Sequence, residues 1–180
     1  MDWPDLTSIL GDLPWAVVGG VATRMYMPER ATQVLDLVIR SQDAESAQRR
    51  FEAAGFMFKG RLSIGGSSWT TGDGTPIDMI EIDANWLDDA LVRAAQNRDH
   101  TGAPILTLPY LALMKLRSGR LQDISDIGRM LTPAAASDLQ AVRDLVRRLE
   151  PDALDDLEGT ITIAQLELGD AAAGDPPERQ

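Results

Sequence analysis

At 180 residues and 44% hydrophobic content the chain is long enough to bury one core with a helical extension. The absence of cysteine excludes disulfides, zinc–thiolate centres and thiol catalysis. A net charge of −11 argues against broad binding to a nucleic-acid backbone, which needs a positive surface, although a local basic patch for a nucleotide is compatible with it.

No stretch approaches the roughly 20 apolar residues that span a bilayer. The start, MDWPDLTSIL, has acidic residues where an export signal is basic, so a cytoplasmic protein of bacterial type is expected. The basic residues are nearly all arginine, with Lys59 and Lys115 the two lysines, and the single histidine, His100, reads as a surface residue in a polar loop.

In chain order, residues 5–12 suit a short helix with Leu6, Ile9 and Leu10 as its apolar face, ended by Pro14. The apolar run Trp15-Ala16-Val17-Val18 reads as a strand that stops at Gly19-Gly20, and a short helix fits Val21 to Tyr26. A second strand is predicted from Gln33 to Ile39, with Val34, Asp36 and Val38 on one face and Leu35, Leu37 and Ile39 on the other. It is apolar on both faces except at Asp36, which makes it a central strand. Residues 43–54 carry Ala44, Ala47, Phe51 and Ala54 at helical spacing, with Gly55 as the stop.

Residues 56–64 alternate, which proposes Phe56, Phe58, Leu62 and Ile64 as buried positions. Gly65-Gly66 turns into Ser67–Thr71, and Gly72-Asp73-Gly74 is the tight turn of a hairpin whose second strand is Pro76–Ile82, with one early carboxylate, Asp78. Helices are expected at 86–96, 109–117 and 121–131. Thr132-Pro133 reads as the start of another that runs to Leu149 with Leu139, Val142, Leu145, Val146 and Leu149 as its stripe. A last helix over 152–166 is weakened by Gly159 and the β-branched run Thr160–Ile163. Residues 135–180 hold eleven acidic and four basic side chains, −7 of the total −11. From Gly169 onward the lack of apolar periodicity predicts a disordered acidic tail.

Two features of the first half carry chemistry. A carboxylate within a buried strand is costly unless it is paired, and a metal ion is a common partner. Paired glycines between a strand and a helix let the backbone approach phosphate oxygens closely. Gly19-Gly20 and Asp36 together therefore suggest a metal-and-phosphate site built on two neighbouring strands. The alternative is that Asp36 and Asp78 pair with arginines such as Arg24 or Arg30.

Gly19-Gly20, Arg30-Ala31-Thr32 and Val34-Leu35-Asp36, in that order, resemble the nucleotidyltransferase-fold superfamily, in particular its small bacterial minimal nucleotidyltransferases and abortive-infection-type toxins. The segment 113–131, LMKLRSGRLQDISDIGRML, resembles the helical stretch that follows the catalytic core in the same group, with Lys115, Arg120, Asp123 and Asp126 at matching positions. The resemblance covers roughly residues 13–131. It implies a mixed α+β fold, a small mixed sheet flanked by helices with a C-terminal helical extension: a core over 1–106, the extension over 107–168 packed on it, and the tail over 169–180.

The same resemblance makes Asp36 and Asp78 catalytic and metal-binding residues for Mg2+ or Mn2+, and assigns Gly19, Gly20, Arg30, Thr32 and Lys115 to nucleotide binding. Arg120, Asp123 and Asp126 are candidates on a helix face. Val34 stands where the group has the first carboxylate of its Asp-x-Asp pair. Two functions are therefore expected: a degenerate or atypical nucleotidyltransferase that binds a nucleoside triphosphate with a divalent metal, or a non-catalytic regulatory or toxin–antitoxin-type module that binds a protein partner. For Lys115 two roles stand open, reaching a phosphate or locking two helices through Asp123 and Asp126.

Overall fold

The computed structural model describes residues 3–27 and 32–173. The chain divides into two compact units, residues 1–107 and 108–180.

The first unit is built on a five-stranded mixed sheet. Its strands are β1 (Trp15–Val18), β2 (Leu35–Arg40), β3 (Met57–Arg61), β4 (Gly66–Thr70) and β5 (Pro76–Ile82), in the spatial order β1-β2-β5-β4-β3. β2 and β5 are parallel and the remaining pairs antiparallel. A parallel pair needs a crossover, which the chain makes through a 3₁₀ turn, helix α3 (Ala44–Ala53) and the β3–β4 hairpin. Leu37, Val38 and Ile39 of β2 are all buried, as the apolar run on both faces predicts for a central strand.

The unit's remaining helices are α1 (Leu6–Leu10), α2 (Gly19–Thr23) and α4 (Leu87–Ala94). Asp5 caps α1, its carboxylate accepting from the amides of Thr7 and Ser8. α3 buries Ala44, Ala47 and Phe51, and the Phe51 ring meets Trp69 of β4 edge-on, with centroids 5.5 Å apart. Trp69 is anchored further because its indole N–H donates to Ser67 at 2.8 Å.

Three sequence expectations change here. Phe58 and Ile64, proposed as buried, are more than half exposed. Phe58 lies on β3, an edge strand with a bulge between Phe58 and Gly60, and Ile64 lies in the turn between β3 and β4, where no neighbouring strand covers it. Ala54 is also exposed, because α3 ends one residue earlier. The helix expected from Val21 begins at Gly19, directly on the strand.

The second unit holds α5 (Leu108–Ser118), α6 (Leu121–Leu131), α7 (Ala136–Leu149) and α8 (Leu154–Ala173). α7 starts at Ala136, with Ala135 extended before it, so Thr132-Pro133 does not start that helix. Instead, Thr132 closes α6, its hydroxyl donating to the Gly128 carbonyl at 2.8 Å. Val142, Leu145 and Val146 form the buried stripe of α7.

The β-branched run in α8 does not break the helix. Leu157, Ile161 and Ala164 are buried on one face, and a Cβ placed on Gly128 of α6 would lie 2.8 Å from that of Ala164. Close packing at this glycine outweighs the local propensity. α8 also continues past Gly169 to Ala173, so the tail expected to be irregular begins within a helix. Among the described residues no helix is long and apolar enough to cross a membrane.

Candidate functional site

The parallel register of β2 and β5 sets Asp36 directly beside Asp78. Partners in register share a face, so the two carboxylates project from the same side of the sheet on adjacent strands, about 4.8 Å apart in the backbone. Both side chains are half-buried. The row extends to either side: Val18 of β1 pairs with Asp36, and Ser68 of β4 pairs with Asp78. The opposite face of β2, formed by Leu35, Leu37 and Ile39, is buried.

The double glycine shapes the Asp36 end. Gly19 has φ +60, in the left-handed region that favours glycine. A Cβ built there would lie 2.0 Å from Oδ2 of Asp36 and 2.9 Å from its Cβ. The carboxylate thus occupies the space that any side chain at residue 19 would need. Gly20 serves Thr32 in the same way, its Cβ position falling 2.7 Å from Cβ of Thr32. The sequence proposes that both glycines let the backbone approach phosphate oxygens; the groups that the structure places against them are a carboxylate and a hydroxyl-bearing side chain of this chain.

Neighbouring contacts hold the corner. Thr23 donates its hydroxyl to the Gly19 carbonyl at 2.7 Å. Thr32 Oγ1 donates to the Val34 carbonyl at 3.2 Å and accepts from the Val34 amide at 3.4 Å, a side-chain turn that leads into β2. Arg24 reaches the Thr32 carbonyl at 3.5 Å. Val34 lies in this bend just before β2 begins and is half-buried. Arg30, the remaining arginine proposed for the site, lies outside the described residues.

Among the described residues no group of three or more His, Cys, Asp or Glu side chains could hold a metal ion. Asp36 and Asp78 are therefore a two-carboxylate set. Mg2+ is commonly held by one or two carboxylates with the rest of its shell from water and substrate phosphate, so hard oxygen donors paired in this way fit a single such ion.

The other proposed residues lie in the second unit. Lys115 of α5 is buried, and its Nζ donates to Asp123 at 2.9 Å and to Asp126 at 2.7 Å, both on α6. Asp123 also accepts from Ser118. Burial pushes the Asp123 carboxyl up, but the hydrogen bonds from Ser118 and Lys115 and the charges of Lys115 and Arg120 outweigh it, leaving it below the ordinary carboxylate value. The Lys115 charge is thus engaged by two carboxylates that fasten α5 to α6. Arg120 is exposed at the start of α6.

Ser68 was not singled out by sequence reasoning. It sits in a glycine- and serine-rich stretch that reads as a turn, and only the register of β4 against β5 brings it beside Asp78. No local signal carries that pairing.

No protein-family model matches the chain. No curated protein matches it either. Solved structures do. The solution structure of the antibiotic-resistance factor ANT(2'')-Ia, reported to show substrate-regulated conformation dynamics, matches with a TM-score of 0.50 at 14% identity over 94% of each chain. The crystal structure of ANT(2'')-Ia in complex with adenylyl-2''-tobramycin matches with a TM-score of 0.50 at 14% identity, over 86% of this chain and 91% of that one. ANT(2'')-Ia is a nucleotidyltransferase-fold enzyme. At this identity the likeness speaks for the fold alone, and this chain has a nucleotidyltransferase-like fold.

Proposed function

We propose that the chain binds a nucleoside triphosphate with one divalent metal ion at Asp36 and Asp78, and that it is an atypical nucleotidyltransferase. The observation that carries this reading is the in-register pairing of the two carboxylates on one face of the sheet, with Gly19 kept free of a side chain where Asp36 folds against it. A packing role for Asp36 alone would not require a second carboxylate beside it on the adjacent strand.

Bound Mg2+ or Mn2+ would neutralise the triphosphate and polarise the phosphorus that is attacked. Asp36 and Asp78 would supply its protein oxygens. The Gly19–Gly20 turn would bring backbone rather than side chains to the edge of that site, and Thr32 with its turn fixes the entry to β2. Arg30 is assigned to the triphosphate on the sequence resemblance. The Lys115, Asp123 and Asp126 set is assigned to holding α5 and α6 together, because its charges satisfy one another.

A second reading is favoured by Val34. Its apolar side chain removes the carboxylate that would bridge a second metal, which suits a protein that binds nucleotide, or another protein, without transferring anything. Manganese tests the metal site itself. Titrating the free-Mn2+ paramagnetic signal with protein and ATP is expected to show one ion per chain, lost in both Asp36→Asn and Asp78→Asn. Retention of the ion in either variant would remove that carboxylate from the site.

A further inference from the structure

We infer that the first unit carries a second binding site, at the end of β1 and β2 remote from Asp36, that takes a small organic anion with an apolar body. The site is a cleft of about 570 Å³ between the turn after α1, the start of β1, the end of β2 and α4. That volume lies within the roughly 300–1,000 Å³ of small-molecule pockets. Arg40, on its wall, stands about 13 Å farther along β2 than Asp36, so the cleft and the carboxylate pair are separate.

The lining combines apolar surface with one charge that is not cancelled. Trp15 and Leu91 are buried behind it, whereas Val92 is 63% exposed, apolar surface that the fold leaves in water. The other charged groups around the cleft are paired. Asp12 receives Arg50 at 2.7 Å, and Asp88 receives Arg40 at 3.2 Å, with Arg40 held also by Asp43 at 2.6 Å. Arg98 differs. Its guanidinium donates from Nε to the Ala95 carbonyl at 3.0 Å and from Nη1 to the Gly102 carbonyl at 2.6 Å, and it has no ion pair among the described residues. Both acceptors are neutral and Nη2 is unspent, so the charge is oriented and still available.

The backbone fixes this cation further. Arg98 pairs with Pro104 across a loop that Asp99 closes by accepting from the amides of Thr101 and Ala103. A guanidinium positioned in advance beside exposed apolar surface matches a carboxylate or sulfonate on an aromatic or aliphatic body, and little side-chain ordering remains on binding.

The probe is 8-anilinonaphthalene-1-sulfonate, compared with N-phenyl-1-naphthylamine, which has the same rings without the sulfonate. Fluorescence titration of the full chain should show the sulfonate binding about tenfold more tightly than the neutral compound. Arg98→Gln should weaken the sulfonate about tenfold and change the neutral compound by less than about twofold, a split that loss of folding would not give. Val92→Asp, at an exposed position, should also weaken the sulfonate about tenfold by like-charge repulsion.

A thiol reads where the probe sits. The chain has no native cysteine, so Val92→Cys and Leu121→Cys each create one addressable position, the second exposed on the helical unit. The sulfonate at about ten times its Kd should slow iodoacetamide alkylation of Val92→Cys about tenfold and of Leu121→Cys by less than about twofold. Equal protection of the two thiols, or none at Val92→Cys, would overturn the site. Equal affinity for the two compounds, or an Arg98→Gln variant that binds the sulfonate as wild type does, would overturn the anion. Asp36→Ala should change sulfonate affinity by less than about twofold, so failure of the nucleotide reading leaves this site standing; a larger change would overturn its separateness.

Discussion

Replacing Gly19 by alanine should cost more than the left-handed backbone alone explains, and the excess should depend on Asp36. An L-residue in the left-handed region costs about 1–2 kcal/mol. At Gly19 a second cost is added, because the new Cβ would lie 2.0 Å from Oδ2 of Asp36 and the carboxylate or the first turn of α2 must shift. Overpacking of this kind costs about 1–3 kcal/mol. Gly55→Ala is the control: its φ is +80 and an added Cβ meets nothing within 4 Å, so it should lose only the backbone part.

Urea unfolding of wild type, Gly19→Ala, Gly55→Ala, Asp36→Ala and the Gly19→Ala/Asp36→Ala double variant gives the cycle. The expected coupling between residues 19 and 36 is about 1–3 kcal/mol, with the alanine at 19 still costing somewhat more than that at 55 once Asp36 is truncated to alanine, because Cβ of residue 36 stays 2.9 Å from the new one. Equal losses for the two glycine variants, with coupling below about 0.5 kcal/mol, would refute the claim that Asp36 is held against the start of α2.

Lys115→Ala should destabilise the helical unit by about 3–5 kcal/mol, since it removes a buried ammonium that ties both Asp123 and Asp126 of α6 to α5, and thermal unfolding checks this against the exposed Arg147→Ala at about 0–1 kcal/mol. The depressed Asp123 carboxyl contributes stability that is fully present above its ordinary value of 3.8 and is lost as pH falls through the lower folded value, so the acid limb of the urea midpoint should be shallower in Asp123→Asn than in wild type. Phe51→Ala should cost about 3–5 kcal/mol and shift the Trp69 emission, because it empties the edge-on contact under the sheet. Val34→Asp should tighten Mn2+ binding in the paramagnetic titration if the two-carboxylate site is a nucleotidyltransferase site that lacks one ligand; no change would favour the repurposed cleft.

Local pattern was enough for most of the elements. The stop at Gly19-Gly20 and the Asp36-bearing run are visible because apolar strands and glycine breaks lie within a few residues of one another. The Gly72-Asp73-Gly74 turn announces the β4–β5 hairpin for the same reason. What was not legible depends on partners distant in the chain. Asp36 and Asp78 are 42 residues apart, and their adjacency follows from the parallel register of β2 with β5. Ser68 joins them only through the next strand over.

Exposure at Phe58 follows from the edge position of β3, and exposure at Ile64 from its place in the turn between β3 and β4, neither of which an alternating pattern reveals. Thr132-Pro133 carries helix-start chemistry, yet the threonine hydroxyl closes the preceding helix instead. In α8 the β-branched run weakens the helical pattern, whereas burial of Leu157, Ile161 and Ala164 decides the outcome. Lys115 was legible as a cation among apolar residues, but only the packing of α5 on α6 shows both carboxylates on its ammonium.

The most direct test of the account is calorimetric titration of the full chain with each of the four nucleoside triphosphates, first in Mg2+ and then in chelator. The account predicts binding of at least one nucleotide that needs the metal and disappears in Asp36→Ala. A folded protein that takes up none of the four, or one whose binding survives both chelator and Asp36→Ala, would contradict it.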